Sequence, residues 1–285
     1  MSQDLLQRFL LEDLDIRGAV VQLGPVWRKI IAERDYPVPV THLLGEMCVT
    51  SLFITEALKQ QGRVTFQLRG AGPVSLLVVD CDARLNLRAL AQSAGDIESG
   101  SARALLGEGR LVLSLDLPSM RQPWQSVVPL EGEGIGEIFE HYLSLSEQLP
   151  SRLFLTATSE GAAGLFLQKL PAADERDPDG WNRIEHLAST ITDDELINLP
   201  VSSLLTRLFP EEAVRVFEPR SVIHDTPEDW SKVRSLLRSL GREEVESVLQ
   251  EQGAVIVRDD LANREYRLDK EAVTAIFDET PRTLH

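Results

Sequence analysis

Cysteine is scarce in this chain: 285 residues hold only Cys48 and Cys81. Two thiols cannot build a disulfide framework, nor a zinc site by themselves. Positive charge is short too. Against 45 acids stand 29 bases, a formal net charge of -16, which argues against a nucleic-acid partner because affinity for phosphate backbones comes from Lys and Arg displacing counterions. No stretch reaches the uninterrupted apolar length of a membrane span, and the opening MSQDLLQRFL lacks the basic start, apolar run and small-residue cleavage site of a secretory signal. The expectation is therefore a cytoplasmic protein with no membrane partner. Catalytic signatures are missing as well. There is no G-x-S-x-G elbow, and His42, His141, His186, His224 and His285 include no i, i+4 metal pair. RGAGP, Arg69 to Pro73, lacks the Lys and Ser/Thr of a P-loop and reads as a hairpin turn. GEGIGE, Gly132 to Glu137, has its third glycine too early for a dinucleotide fingerprint and an acid that would repel a pyrophosphate, so it reads as a turn entering a helix. No enzyme and no cofactor are expected.

What is present is an ordinary globular composition, 43% apolar and 26% charged. RGAVVQL (17–23) is strand-like, and Pro25 suits the first turn of a helix carrying Val26, Ile30 and Ile31 on one face. A long buried helix is expected from about Thr41 to Gln60, stopped by Gly62. Cys48 sits within it, where apolar residues cover most of the circumference, so core burial is its expected role. Period-two segments follow: VTFQL, PVSLLVV and RLVLSLDL, the last with Leu111, Leu113, Leu115 and Leu117 on one side. Cys81 lies between Asp80 and Asp82, which should raise its pKa and blunt its reactivity. SVVPL, a helix from Glu137, and the pair SRLFLTAT and AAGLFLQKL complete an α+β pattern of antiparallel sheets packed with helices.

The texture then changes twice. PAADERDPDG (171–180) is polar with two prolines and reads as a flexible boundary. It divides an N-terminal α+β core, 1–172, from an apolar helical linker, 173–220. The linker reads as short helices with Trp181, Ile184, Leu187 and Ile191 on one face and Val201, Leu204, Leu205 and Leu208 on another; helices so short must dock on something to persist. The C-terminal module, 221–285, reads as helix, helix, hairpin, helix. Val233, Leu236, Leu237 and Leu240 stripe a helix ended by Gly241, Val245, Val248 and Leu249 stripe one ended by Gly253, and Asp269 caps a last helix carrying Val273, Ile276 and Phe277. The hairpin between them is VIVRDDLANREYRL (255–268). A module of roughly sixty residues usually needs a metal or disulfides, yet it contains no cysteine. His224, Asp225, Glu228, Asp259 and Asp260 could meet a divalent metal if the segment before Trp230 lies beside the hairpin loop, the alternative being a solvated acidic rim.

QLRGAGPVSLLVV, LLGEGRLVLSL, HYLSLSEQLPSRLFL and above all LRSLGREEVESVLQEQGAVIV resemble the redox-regulated 33 kDa heat-shock chaperone family, and the likeness runs in order from about Leu6 to Phe277. The resemblance implies an α+β core, an apolar helical linker and a small zinc module held by a Cys-x-Cys and a Cys-x-x-Cys pair. It also implies that oxidation ejects the zinc, unfolds module and linker, and exposes surface that captures unfolding client proteins without ATP. Counted from the well-matched motif, the four thiols fall on Thr226, Glu228, Asp259 and Ala262, none of them cysteine. Structural zinc contributes on the order of 10 kcal/mol to such modules. Without it the tail rests on its apolar stripes, with Val222, Leu261 and Ala262 expected to fill the vacated space, and its stability margin is expected to be small. The leading expectation is a holdase released by heat or another unfolding stress, with no metal, whose client-binding residues are Trp181, Ile184, Leu187, Ile191, Leu204, Leu205 and Leu208. A net charge of -16 would keep such a protein from aggregating with itself. A homodimer of the released form stays open, as does a constitutively folded interaction protein with no holdase activity.

Overall fold

The most apolar stretch of the chain, Val38–Ala57, forms a 20-residue helix that begins on Pro37 and carries Pro39 in its first turn, where a missing N–H costs nothing. By length and composition it could cross a membrane, but it lies buried between two sheets, which accounts for its lack of a polar face. Its expected end at Gln60 falls outside the described residues. The structure is a computed structural model describing residues 4–58, 62–95, 97 and 99–278.

In chain order the elements are β1 (Leu5–Leu11), β2 (Ile16–Leu23), α1 (Pro25–Ile31), α2 (Val38–Ala57), β3 (Arg63–Arg69), β4 (Val74–Asp82), β5 (Leu87–Ser93), α3 (Ala102–Leu106), β6 (Arg110–Asp116), β7 (Trp124–Val128), α4 (Ile135–Glu147), β8 (Ser151–Ala157) and β9 (Ala162–Lys169). Then come α5 (Ala173–Arg176), α6 (Gly180–Ala188), α7 (Asp193–Asn198), α8 (Val201–Leu208), β10 (Val214–Val216) and β11 (Arg220–Ser221). The last part holds α9 (Trp230–Leu240), α10 (Arg242–Gln252), β12 (Val255–Asp259), β13 (Arg264–Leu268) and α11 (Lys270–Asp278). The fold is α+β with antiparallel sheets, and contacts divide it into two units between His224 and Asp225.

In the first unit one sheet has the order β10-β1-β2-β9-β8, with β11 also on β1, and the other β5-β4-β3-β6-β7. Helix α2 packs on both. Glycine permits two close approaches. Phe9 lies across Gly18, its pairing partner, where a Cβ would meet the ring at 2.2 Å, and Gly45 of α2 rests on Ala157 at 2.3 Å from where its Cβ would be. Strands β2 and β9 are buried on both faces, because α2 covers one side and α6 to α8 cover the other.

Two expectations change here. Residues 173–220 are not helical throughout, since β10 and β11 pair antiparallel with β1. The charged stretch read as a flexible boundary is tied to the first strands: Leu170 N donates to Asp15 O, Ala173 is buried, and Arg176 donates to Glu12 O at 2.6 Å. Opposite charge and turn hydrogen bonds organise what composition alone suggests is loose.

In the second unit α9 is N-capped by Asp229, whose carboxylate accepts from Lys232 N at 3.0 Å. Asp269 accepts from Ala272 N and caps α11. The hairpin pairs Val255 with Leu268 and Val257 with Tyr266, with Asn263 left-handed at φ 49° in its loop. Val233, Leu237, Val245, Val255, Tyr266, Leu268, Val273 and Ile276 form its core.

Candidate functional site

The seven residues expected to bind clients meet in one cluster. Trp181, Ile184, Leu204, Leu205 and Leu208 are buried, and Leu187 and Ile191 half-buried, against Phe9, Leu11, Ile16, Val20, Leu165 and Leu167 of β1, β2 and β9. Sequence reasoning left out Leu196 and Phe209 of the same layer, the latter tilted against Phe9 with centroids 6.2 Å apart. It also left out α7, although Thr192 and Glu195 carry the spacing of a capping box, which the structure shows formed.

Polar groups pin this layer. Gln22, 4% exposed on β2, donates from Nε2 to Leu196 O and Leu199 O, both at 2.8 Å, and so occupies carbonyls that end α7. Arg152 of β8 donates to Glu185 of α6 at 2.6 Å and to Glu140 of α4 at 2.9 Å. Burial raises the Glu140 carboxyl above its ordinary value against the pull of Leu153 N and Arg152. Glu46 of α2 stands under the same layer. Burial first, then the charge of Asp193 at the start of α7, pushes its carboxyl from an ordinary 4.5 up to about 7. The folded state therefore binds the proton more tightly than the unfolded chain, so stability falls as pH rises between these values. The midpoint of the transition that includes α7 is expected to drop as pH rises from about 4.5 to about 7 and to level off above that, and Glu46→Gln should flatten that dependence in a thermal melt.

The second unit brings together Thr226, Glu228, Asp259 and Ala262, the positions expected to replace the family's thiols. Arg264, cross-strand partner of Asp259, donates to Glu228 Oε1 at 3.0 Å and to Thr226 O at 2.8 Å. Lys232 Nζ donates to Asp259 Oδ2 at 2.8 Å, and Ala262 N donates to Asp259 Oδ1 at 3.2 Å. Asp229 N donates to the Tyr266 hydroxyl at 2.9 Å, and the Trp230 ring meets Tyr266 edge-on at 5.1 Å while its Nε1 donates to Glu228. The segment before Trp230 does lie beside the hairpin, as a clamp of ion pairs and one aromatic contact.

These residues do not suit zinc. Ala262 offers no side-chain donor, and the carboxylates of Glu228 and Asp259 are engaged by Arg264 and Lys232. His224 belongs to the first unit, where its Nδ1 lies 2.7 Å from Leu87 O and burial lowers its pKa. Among the described residues no group of three or more His, Cys, Asp or Glu is placed to hold a metal ion. Val222 is a correction as well: it is buried in the core of the first unit, its N–H on Asp4 O, and does not fill the tail.

Both cysteines are buried in the first unit. Burial raises the Cys48 thiol, with Cys81 adding to it, and pushes Cys81 up to about 12, assisted by Asp82 and Asp80 against a Thr55 hydrogen bond.

Comparison with known proteins bears on the family and the fold. The profile of the Hsp33 protein family matches residues 4–269. A 33 kDa chaperonin of Nitrosococcus oceani is 40% identical over 278 residues, covering 98% of this chain and 96% of the relative. That of Chromobacterium violaceum is 39% identical over 278 residues, covering 96% and 94%. The crystal structure of the 33 kDa chaperonin of Thermotoga maritima superposes with a TM-score of 0.82 at 20% identity, over 96% of this chain and 97% of that one, a likeness of fold. The class is that of a chaperone and not of an enzyme. Within it, the chain belongs to the Hsp33 family.

Proposed function

We propose that the protein is an ATP-independent holdase for unfolding proteins, a member of its family without the four zinc-binding cysteines, released by heat or a comparable unfolding stress instead of by thiol oxidation. The observation that carries the reading is the clamp at Thr226, Glu228, Asp259 and Ala262, where ion pairs stand at the positions counted for thiolates. Exposed ion pairs stabilise by about 0–1 kcal/mol each, far below the order of 10 kcal/mol of a structural zinc. A tail so held has a small margin and opens on warming. On this reading the functional divisions are a core of 1–172, to which residues 221–224 also belong, a releasable apolar linker of 173–220 and a tail of 225–285, acting in the cytoplasm on non-native proteins.

The linker supplies client-binding surface because its helices are four to nine residues long and unstable alone, so release uncovers both their apolar faces and the β1, β2 and β9 face beneath. Capture of a client is tested by light scattering of a thermally unfolding substrate protein across temperature; a protein inert at every temperature would defeat the proposal. The clamp is tested separately. Arg264→Ala removes an ion pair and a hydrogen bond to Thr226 O, together about 1–2 kcal/mol. At about 4–8 °C per kcal/mol for a unit this small, calorimetry should show the tail transition about 5–15 °C lower.

A further inference from the structure

Among the described residues, one of the two main sheets ends on a strand whose outer edge has no main-chain partner. The outer edge of β5 is met by Ile223, whose carbonyl accepts from Leu87 N at 2.8 Å. At the edge of β8, Glu140 accepts from Leu153 N at 2.7 Å, and β10 is three residues long. Strand β7 pairs with β6 on one side, and among the described residues no main-chain hydrogen bond satisfies its other side. Soluble proteins guard such edges with charge, a bulge or a covering segment. Here the strand reads WQSVV, without one charged residue, and Trp124 is 44% and Val127 52% exposed. Pro123 and Pro129 bound it at either end.

On the face of the sheet that carries Trp124, a cavity of about 220 Å³ is lined by Trp124 and Leu115 with Phe53, Ile54, Tyr142 and Phe166. An added strand would therefore find two things: a ladder of unsatisfied peptide groups, and the exposed apolar side chains of Trp124 on one face and Val127 on the other. The free ladder dictates an extended occupant, and exposed Trp124 and Val127 favour an apolar one. Charge decides against a second copy of this chain, because two molecules of formal charge -16 repel. We propose that the outer edge of β7 is a docking site for an extended, uncharged or basic apolar segment of a non-native protein, available while the linker and tail are still closed. The inference rests on the holdase reading for the nature of its partner, but not on heat release. It gives the folded protein a first hold on a client before the larger surface is uncovered.

The probe is the fluorescent peptide acetyl-Lys-Thr-Val-Thr-Val-Thr-Val-Thr-Lys-amide, titrated into the full chain at room temperature and followed by anisotropy. Two derivatives carry N-methyl groups on alternate amides, one set for each edge of the extended peptide. The parent peptide should bind; one methylated set should bind about tenfold more weakly, the loss of one or two net hydrogen bonds, and the other should bind as the parent does. Trp124→Ala, at an exposed position, should weaken the parent peptide by a similar factor. Absence of binding, equal binding of both methylated sets, or indifference to Trp124→Ala overturns the proposal. So does a self-associated species in sedimentation velocity that the peptide dissociates, since the occupant would then be a second copy. Heat-triggered suppression of client aggregation, measured on the same samples, reads the linker proposal by itself: its survival without peptide binding sinks the edge site alone, and its loss with peptide binding intact sinks heat release alone.

Discussion

Warmed with a thermally unfolding client, this protein should pass from no effect to near-complete suppression of aggregation, and peroxide, reductant or a zinc chelator should leave both the temperature and the extent of that change where they were. Oxidants attack the thiolate. Cys81, pushed up to about 12, is ionised in roughly one molecule in 10⁵ at neutral pH, and Cys48 is shifted higher still in a fully buried site. Neither sulfur belongs to the tail. The tail's own fastenings, Arg264 on Glu228 and Lys232 on Asp259, do not respond to oxidants. Suppression that appears only after peroxide treatment, or stoichiometric zinc in the purified protein, would end this account.

Leu237→Ala should make the protein active without heating. Leu237 is 1% exposed at the centre of the small tail core, and truncating such a leucine costs about 2–5 kcal/mol. A single core of this size supplies a margin of about 3–5 kcal/mol, so the variant's tail should be largely unfolded at room temperature. Calorimetry is expected to show the early transition lowered by about 10–30 °C or absent, with client capture appearing below the temperature the parent needs. Leu236→Ala, on the exposed side of the same helix, serves as the control and should behave as the parent. If the tail of Leu237→Ala melts while clients still aggregate at room temperature, opening of the tail is not what confers activity.

The tail was legible in the sequence because its signals are local. Helices α9 and α10 announce themselves by stripes and by the glycines that end them, Gly241 and Gly253, and the hairpin by the alternation of Val255, Val257, Tyr266 and Leu268. The docked layer was legible by residue but not by location, since helical spacing identifies Trp181, Ile184, Leu204, Leu205 and Leu208 as apolar faces without saying that β1, β2 and β9 receive them. Strands β10 and β11 are three and two residues long, too short to show a period, and exist because β1 offers them partners. Strand β1 itself escaped because LLQRFLL does not alternate cleanly. The clamp was invisible for another reason. Arg264 and Lys232 are 32 residues apart in the chain and look like ordinary surface charge until the fold sets them on Glu228 and Asp259.

The double coverage of β2 and β9 has a consequence for the return journey. Under the release proposed above, those strands would lose one cover but keep the other, α2, together with their full hydrogen-bond ladders. The sheet beneath would then remain as a mould, with Gln22, which holds Leu196 O and Leu199 O in the closed state, carried on β2. On that proposal, return of the helical layer on cooling is a local step on a sheet that never came apart, and one molecule would be expected to serve through repeated warming.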